Sequence, residues 1–545
     1  MLPQFNQLYD NQTIFITGAS GFVGKVLVEK ILHALPGVKK IFVLIRSSRG
    51  KSAAERWNTI TQSILFNRIR QDCPTVLEKV VPVEGDITID DMGLSPEDLQ
   101  QVLNETTVVM HCAATIRFND ILRSAVELNI KGVNRMINMC HRMANLKCFL
   151  HCSTCYVNVD KQDDIEEKVY STTIDPYKLM ESLDWLDDAM LEGITNAIVP
   201  RYFNTYCLTK CAAEVLVTDK AKDLPTVIFR PAIITGIWKD GIPGWADVFQ
   251  GLSAQALGFA TGTIPRVPCN NANPVDGVPV DVVCNMMIAC AAYRLNLGNC
   301  DTIPVFHCNS GDQNPLYIKS FIDLCGTLLK KFPLEKIIMA PTAGTHSTIT
   351  TERTLHIIKH KAIGPALDKV GALLGKKPFW TKTFGKVHST FEVFVPFVSK
   401  RWIYKSDGML KLLGLMQSDD LERFDFDVRK IDWNEYVTDF MFGMKYFLIH
   451  DDIMNPKRLE LAKRNVKLHN VIEIVLASIL CYVVVLLVTG FSSSWSLVMP
   501  LSACFYYYYN MNAHTEVKRI GDLDNYIKRI KVAARGDLHN KTIRG

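Results

Sequence analysis

Hydrophobic positions in the first half of the chain fall into short unbroken runs separated by longer amphipathic stretches. Thr13-Ile14-Phe15-Ile16 leads into a helical pattern that lasts to about Leu35, and Lys40-Ile41-Phe42-Val43-Leu44-Ile45 is apolar without alternation. The pattern returns at Val80-Val81-Pro82-Val83, Thr107-Val108-Val109-Met110, Cys148-Phe149-Leu150-His151 and Thr226-Val227-Ile228-Phe229. Short runs without a polar face are strands buried on both sides, and strands alternating with helices predict an α/β fold: a parallel, doubly wound sheet with right-handed crossovers. Residues 52–79 interrupt this order with Trp57, Ile60, Ile64, Leu65 and Ile69 at helical spacing, which predicts an inserted, packed helical pair.

Beyond Pro231 the pattern changes. Trp238, Trp245 and Phe249 precede a helical run from Leu252 to Gly258, and Pro279-Val280-Asp281 opens a helix of small residues. Phe379, Trp380, Phe391, Phe394, Phe397 and Trp402 then cluster among basic residues. Lys457, Arg458, Lys463, Arg464 and Lys467 lead into Val471–Gly490, which is apolar apart from Glu473 and long enough to cross ~30 Å of hydrocarbon. A second apolar stretch, Trp495–Tyr509, is shorter, contains Pro500 and ends in tyrosines that suit a membrane–water interface. Basic residues on both sides predict a membrane hairpin with both ends cytosolic, the other arrangement being one span with an interfacial second segment.

Composition narrows the partners. At 48% hydrophobic residues the 545-residue chain can bury a large core in more than one domain, and a formal net charge of +5 makes no case for nucleic acid. Sixteen cysteines without a secretory pattern at the N-terminus fit a reducing compartment. Cys152 and Cys155 form a Cys-x-x-Cys with no second pair at metal-binding spacing, so no metal site is expected. The closing Thr542-Ile543-Arg544-Gly545 is neither a peroxisomal nor an ER-retention signal.

The first strand breaks into Thr17-Gly18-Ala19-Ser20-Gly21-Phe22-Val23-Gly24 before its helix begins. Glycines at this spacing allow a tight turn and close approach of the backbone to a pyrophosphate, which the helix N-terminus attracts. Thr17, Gly18, Ser20, Gly21, Phe22, Val23 and Gly24 are therefore candidate dinucleotide contacts. About twenty residues on, an acidic residue would hold a ribose 2′-hydroxyl, whereas arginine accommodates a 2′-phosphate. Arg46 and Arg49 stand there, Arg46 being the better placed, and they point to NADPH. Asp86 sits where this architecture contacts adenine, while Ala113, in small-residue His111-Cys112-Ala113-Ala114, and Pro231, closing strand six, complete the cofactor set.

Between strands five and six, Asn204-Thr205-Tyr206-Cys207-Leu208-Thr209-Lys210 reads as a helix start. Tyr206 and Lys210 share one helix face, and of seventeen tyrosines only Tyr206 has lysine four positions on. A neighbouring ammonium lowers a phenol pKa that starts near ~10, giving the proton donor that carbonyl reduction needs. Ser153 or Thr154, at the end of strand five, would hydrogen-bond the substrate oxygen, with Thr154 preferred. A covalent alternative would use Cys155 or Cys207 as a thioester nucleophile.

The glycine turn, strand-end hydroxyls and Tyr206/Lys210 resemble an extended short-chain dehydrogenase/reductase, and the chain as a whole resembles a eukaryotic fatty acyl-CoA reductase. The narrower likeness rests on residues 17–27, His111-Cys112-Ala113-Ala114-Thr115-Ile116-Arg117-Phe118, Asn204-Thr205-Tyr206 with Lys210, Pro279-Val280-Asp281-Val282-Val283 and Phe424-Asp425-Phe426-Asp427-Val428-Arg429. Cys152 and Cys155 depart from it, since the family usually carries valine and alanine there. The resemblance implies an NADP(H)-binding Rossmann domain at 1–240, a substrate-binding part at 241–354, a C-terminal helical domain with an acyl tunnel at 355–455, and a membrane anchor with basic tail at 456–545. It implies reduction of long-chain acyl-CoA to a primary alcohol by two NADPH, with Asn129 supporting Lys210 through water, at a peroxisomal or ER membrane facing the cytosol. Oligomeric state and chain-length preference are left open. A membrane-bound sterol or sugar-nucleotide dehydrogenase leaves 355–450 unexplained, and a nonenzymatic NADP(H) sensor would not need both Tyr206 and Lys210.

Overall fold

A computed structural model describes the chain except residues 119, 162, 173, 299–301, 347–348, 490–514 and 535–545. Its centre is a sheet of strands β1 (Thr13–Thr17), β2 (Lys40–Ile45), β3 (Val80–Glu84), β4 (Val108–His111), β5 (Cys148–Cys152), β6 (Thr226–Pro231) and β7 (Val305–Cys308). They lie in the order β7-β6-β5-β4-β1-β2-β3, every neighbouring pair parallel. β1 is buried along its whole length, as an apolar run without alternation requires. Chain order reverses between β1 and β4, so the crevice beyond their C-terminal ends is where this fold binds ligands. The seventh strand was absent from the periodicity: Val305-Phe306-His307-Cys308 is short and interrupted by His307, and only its place against β6 makes it a strand.

Helix α1 (Phe22–Ala34) follows the glycine turn, and α2 (Thr205–Lys220) returns the chain from β5 to β6. Asn204 caps α2 by accepting the Cys207 amide at 2.8 Å, which gives the Asn204-Thr205-Tyr206 motif a structural reason. The 52–79 insertion is helical in pieces: Ala53–Thr61, capped reciprocally by Ser52 and Glu55, then Ile64–Phe66, Asn67–Asp72 and Pro74–Lys79. Helix α3 (Val280–Asn296) is buried nearly all round. Its Asp281 accepts the amides of Trp238, Lys239 and Asp240 at 2.9–3.0 Å and so fixes the loop after β6.

The C-terminal region is mainly helical, with α4 (Gly364–Leu373), α5 (Trp380–Ser399), α6 (Pro456–Thr489) and α7 (Leu523–Ala533). One hydrophobic core reaches from Leu2 to Ala534. Phe424 packs on Phe5, Asp425 binds Lys239 at 2.7 Å, and its carbonyl accepts from Asn285 of α3 at 3.0 Å. The Phe424–Arg429 motif is thus a clasp between the C-terminal region and the nucleotide-binding half.

Among the described residues no helix is long and apolar enough to cross a membrane. The run expected from Val471 begins within α6, but Glu473 accepts the Ala340 amide at 2.6 Å, so its first turn is fastened to the folded body. The second stretch, Trp495–Tyr509, lies outside the described residues. Beyond it the chain is again packed on the body. Thr515 donates to Asp323, Val517 to Thr327 and Gly521 to Thr438, while Tyr526 of α7 is buried with its hydroxyl on the Pro243 carbonyl.

Candidate active site

A cavity of about 910 Å³ opens at the C-terminal ends of the strands and is bordered by Gly18, Ser20, Gly21, Phe22, Val23 and Gly24. Gly18 has φ of +77°, and a Cβ on it would stand 2.9 Å from the Ala113 nitrogen. A Cβ on Gly24 would meet the Gly18 carbonyl at 2.3 Å, so only glycine lets α1 approach the turn this closely. The N-terminus of α1 faces a space that no side chain of its own turn fills, and this cradle fits a dinucleotide pyrophosphate. Arg46, Asp86, Ala113, Lys210 and Pro231 border the same cavity.

Two expected cofactor contacts stand elsewhere. Thr17 is buried behind the turn, its hydroxyl 2.8 Å from His111 Nδ1 and accepting the Ala113 amide at 3.2 Å, so it ties β1 to β4 instead of facing the cavity. Arg49 lies in an exposed turn at φ 52°, closed by pairing of Ser48 with Lys51, and does not border the cavity. Arg46 does border it, with its exposed guanidinium 3.7 Å from the Asp86 carboxylate.

The strand-end hydroxyls are in different environments. Ser153 donates to Glu214, a carboxylate already held by fully buried Arg230 at 2.5 and 2.9 Å. Its proton is committed inside the protein. Thr154 instead neighbours the Tyr206 phenol, donates to the Pro231 carbonyl at 3.4 Å and receives the Tyr156 amide at 3.3 Å. Thr154 and Tyr206 both border the cavity. The Lys210 ammonium donates to the Cys152 carbonyl at 2.7 Å, and burial lowers its pKa below the ordinary lysine value.

The phenol departs from the sequence expectation. Burial pushes the Tyr206 pKa above its ordinary value, the neighbouring thiols of Cys207 and Cys152 add to this, and the Thr154 hydrogen bond only partly offsets it. Enclosure decides the balance, so Tyr206 is a protonated donor at neutral pH. Asn129 does not border the cavity. Its side chain bridges the Thr115 backbone and the Thr209 hydroxyl, at 2.9–3.2 Å, from a π-helical turn over Glu127–Lys131. It holds the residue next to Lys210 in place.

Aromatic rings extend the cavity away from the glycine turn. Phe118 meets Tyr206 and Phe397 at 5.5 Å each, and Tyr156 meets Phe397, Trp402 and Tyr404 at 5.1, 6.0 and 5.6 Å. Val393 and Phe394 of α5 lie along the same wall. The sequence reading missed Tyr404 and buried Asp276, which also border the cavity, and gave no site role to Gln250, Gly251 and the start of the Leu252–Ala260 helix, which do so too; no local motif marks them. It also missed Glu214, for which the signal was Arg230 at the end of an apolar strand, where a guanidinium needs a carboxylate.

The doubly wound sheet, the glycine turn over a helix N-terminus and the Thr154–Tyr206–Lys210 cluster define an NAD(P)H-dependent reductase. Two family models, both described as male sterility protein, match residues 16–287 and 359–451. Fatty acyl-CoA reductase 1 of Gallus gallus is 33% identical over 452 residues, 83% of this chain and 87% of its own. Fatty acyl-CoA reductase 2 of Homo sapiens is 32% identical over 463 residues, 85% and 89% of the two chains. The chain belongs to the fatty acyl-CoA reductase family. Two solved structures share the fold. The reductase domain of a nonribosomal peptide synthetase from Mycobacterium tuberculosis has TM-score 0.53 at 16% identity, covering 82% of this chain and 93% of its own. The terminal R domain of the myxalamid PKS-NRPS pathway has TM-score 0.51 at 18% identity, covering 74% and 85%.

Cys155 and Cys207 are fully buried, and burial raises both thiols above the ordinary cysteine value, which removes the thiolate a covalent mechanism needs. Cys152 differs, because a hydrogen bond from Cys112 and the Lys210 charge hold its thiol down despite burial. Iodoacetamide should therefore alkylate Cys152 well before Cys155 or Cys207, as peptide mass spectrometry would show. Comparable labelling of Cys155 or Cys207 would restore the covalent alternative.

Proposed function

We propose that the protein reduces a long-chain acyl-CoA to the primary alcohol at this single site, using two NADPH and releasing CoA. The observation that carries the reading is continuity: one cavity joins the glycine turn, Thr154 with Tyr206, and the aromatic wall from Phe118 to Tyr404. Reduced nicotinamide supplies hydride when bound. The chain's own residues do the rest. Tyr206 and Thr154 hydrogen-bond the thioester oxygen, and Tyr206 gives it a proton as negative charge develops there. Lys210, which also borders the cavity, would hold the cofactor ribose and supply positive charge near the reacting oxygen. The aromatic wall excludes water and offers the alkyl chain an apolar path. Expulsion of the thiolate from the resulting hemithioacetal leaves an aldehyde, whose oxygen occupies the same two hydrogen bonds for the second reduction.

Arg46 supports NADPH over NADH, since its guanidinium stands at the end of β2 where a 2′-phosphate would lie. For the tail we favour a membrane hairpin. Glu473 before the second apolar stretch and Thr515 after it are both tied to the body, which supports a tail anchored at both of its ends. A peroxisomal or ER membrane, with the catalytic body in the cytosol, completes the reading.

Tyr206→Phe should lower kcat by roughly 10²–10⁴ with NADPH affinity nearly unchanged, and steady-state assay with NADPH and an acyl-CoA tests it. Near-normal turnover would refute the role. Arg46→Ala should raise KM for NADPH roughly tenfold, hydrogen bonds to a charged group being worth ~1.5–3 kcal/mol, and leave KM for NADH unchanged. An equal effect on both cofactors argues against a phosphate contact. On intact organelles a C-terminal tag should be digested by added protease; a protected tag excludes the hairpin.

A further inference from the structure

The turn between α4 and α5 carries a surface that the reaction does not use. Leu373 is 87% exposed and Leu374 70%, with Val370 at 56% and Phe379 at 49%. Large apolar side chains displayed together on one turn mark an interaction site. The display is built. Asp368 accepts the amides of Phe379, Trp380 and Thr381 at 2.8–2.9 Å, capping α5, and the Thr381 hydroxyl together with these amides holds its carboxyl well below the usual carboxylate range. Lys376 and Gly375 donate back to Gly371 and Ala372 at 2.9 and 3.0 Å, closing the turn. Trp380 braces it from beneath, 5.4 Å from Phe379 and 5.7 Å from Phe384.

Charge says what this turn meets. Lys369, Lys376, Lys377, Lys382 and Lys386 are all exposed around the apolar tip. The nearby acids are engaged elsewhere: Asp368 with the three amides, and Glu392 with Arg353 at 2.7 Å. An apolar tip inside a ring of lysines is complementary to a bilayer with anionic headgroups, where the lysines reach phosphates while the tip enters the acyl region. A protein partner would need a groove apolar at its floor and acidic at its rim, a layering that any anionic bilayer presents. Leu468, Val471 and Val475 of α6 are exposed as well.

We propose that the α4–α5 turn inserts into an anionic phospholipid surface and seats the catalytic body on it, independently of the apolar tail. The same helix connects this contact to the chemistry. Ser389 and Thr390 of α5 border the cavity, and Ser389 stands about 15 Å from Phe379 at 1.5 Å per residue. Inserting the tip therefore keeps the cavity wall within about 15 Å of the lipid, which shortens the watery path of a long alkyl chain between membrane and site.

The test uses the full-length protein reconstituted into phosphatidylcholine vesicles with or without phosphatidylserine, carrying Leu374→p-benzoylphenylalanine. Irradiation should give phospholipid adducts, detected by mass spectrometry, and more of them with phosphatidylserine. The same side chain at exposed Glu97 on the nucleotide domain should give none. Lys376→Glu with Lys377→Glu should cut the adduct yield roughly tenfold or more, each lysine near such a surface being worth ~1 kcal/mol. Turnover in detergent, unchanged by the lysine substitutions, shows that the variant is folded. Adducts to protein alone would assign the turn to a second copy or a protein partner and overturn the proposal. So would lipid adducts no more abundant than at Glu97, or a yield indifferent to both phosphatidylserine and charge reversal.

Discussion

The geometry of the site depends on one buried ion pair. Arg230 is fully enclosed at the end of β6, and a guanidinium there is tolerable only with its charge met. Glu214 meets it from α2 with two hydrogen bonds, and Ser153 at the end of β5 donates to the same carboxylate. Three elements are thereby locked together. Since α2 also carries Tyr206 and Lys210, and β5 runs on into Thr154, the pair sets the distance between phenol and hydroxyl. A slip of one helical turn would leave Glu214 away from Arg230, so the charges specify the register as well as the contact.

This explains why the site was only partly legible in the sequence. The glycine turn is local: Gly18 and Gly24 answer to backbone geometry within a few residues, and spacing exposes them. Tyr206 and Lys210 share a helix face and are legible for the same reason. Choosing between Ser153 and Thr154 needs Glu214, which is distant in sequence and approaches only through the fold. The phenol misled for a related reason. Lys210 is visible four positions on, but enclosure by Phe118 and the thiols is not, and enclosure prevails. Thr17 and Arg49 fit a pattern of positions, yet one faces inward to His111 and the other sits beyond the crevice in its own turn.

The second half of the chain shows the same division between local and long-range causes. Phe424-Asp425-Phe426-Asp427 reads as a motif, but its meaning lies in what it holds: Phe5, Lys239 and α3. Through that clasp the C-terminal segments are carried to the nucleotide-binding half, where Trp402 and Tyr404 pair with residues 163–165 and close the aromatic wall of the cavity. The apolar tail was legible by composition, whereas the fastening of Glu473 to Ala340 was not. A charged residue in an apolar run looks like a blemish until its partner on the body is known.

Burial acts on Tyr206 and Lys210 in opposite senses through one cause, because a low-polarity site favours the neutral form of each. A phenol raised in this way keeps its proton at rest, and in the proposed reduction it would give it up only as charge appears on a bound oxygen. Each tenfold change in acidity is worth ~1.4 kcal/mol, so the enclosure that weakens Tyr206 as an acid is a cost the site must offset. It is offset in the same place, since the enclosure also strengthens every hydrogen bond and charge aimed at the developing oxyanion. In the proposed reaction the aromatic wall would therefore serve the chemistry as much as the alkyl chain, since the enclosure it gives Tyr206 holds the phenol protonated in the resting state.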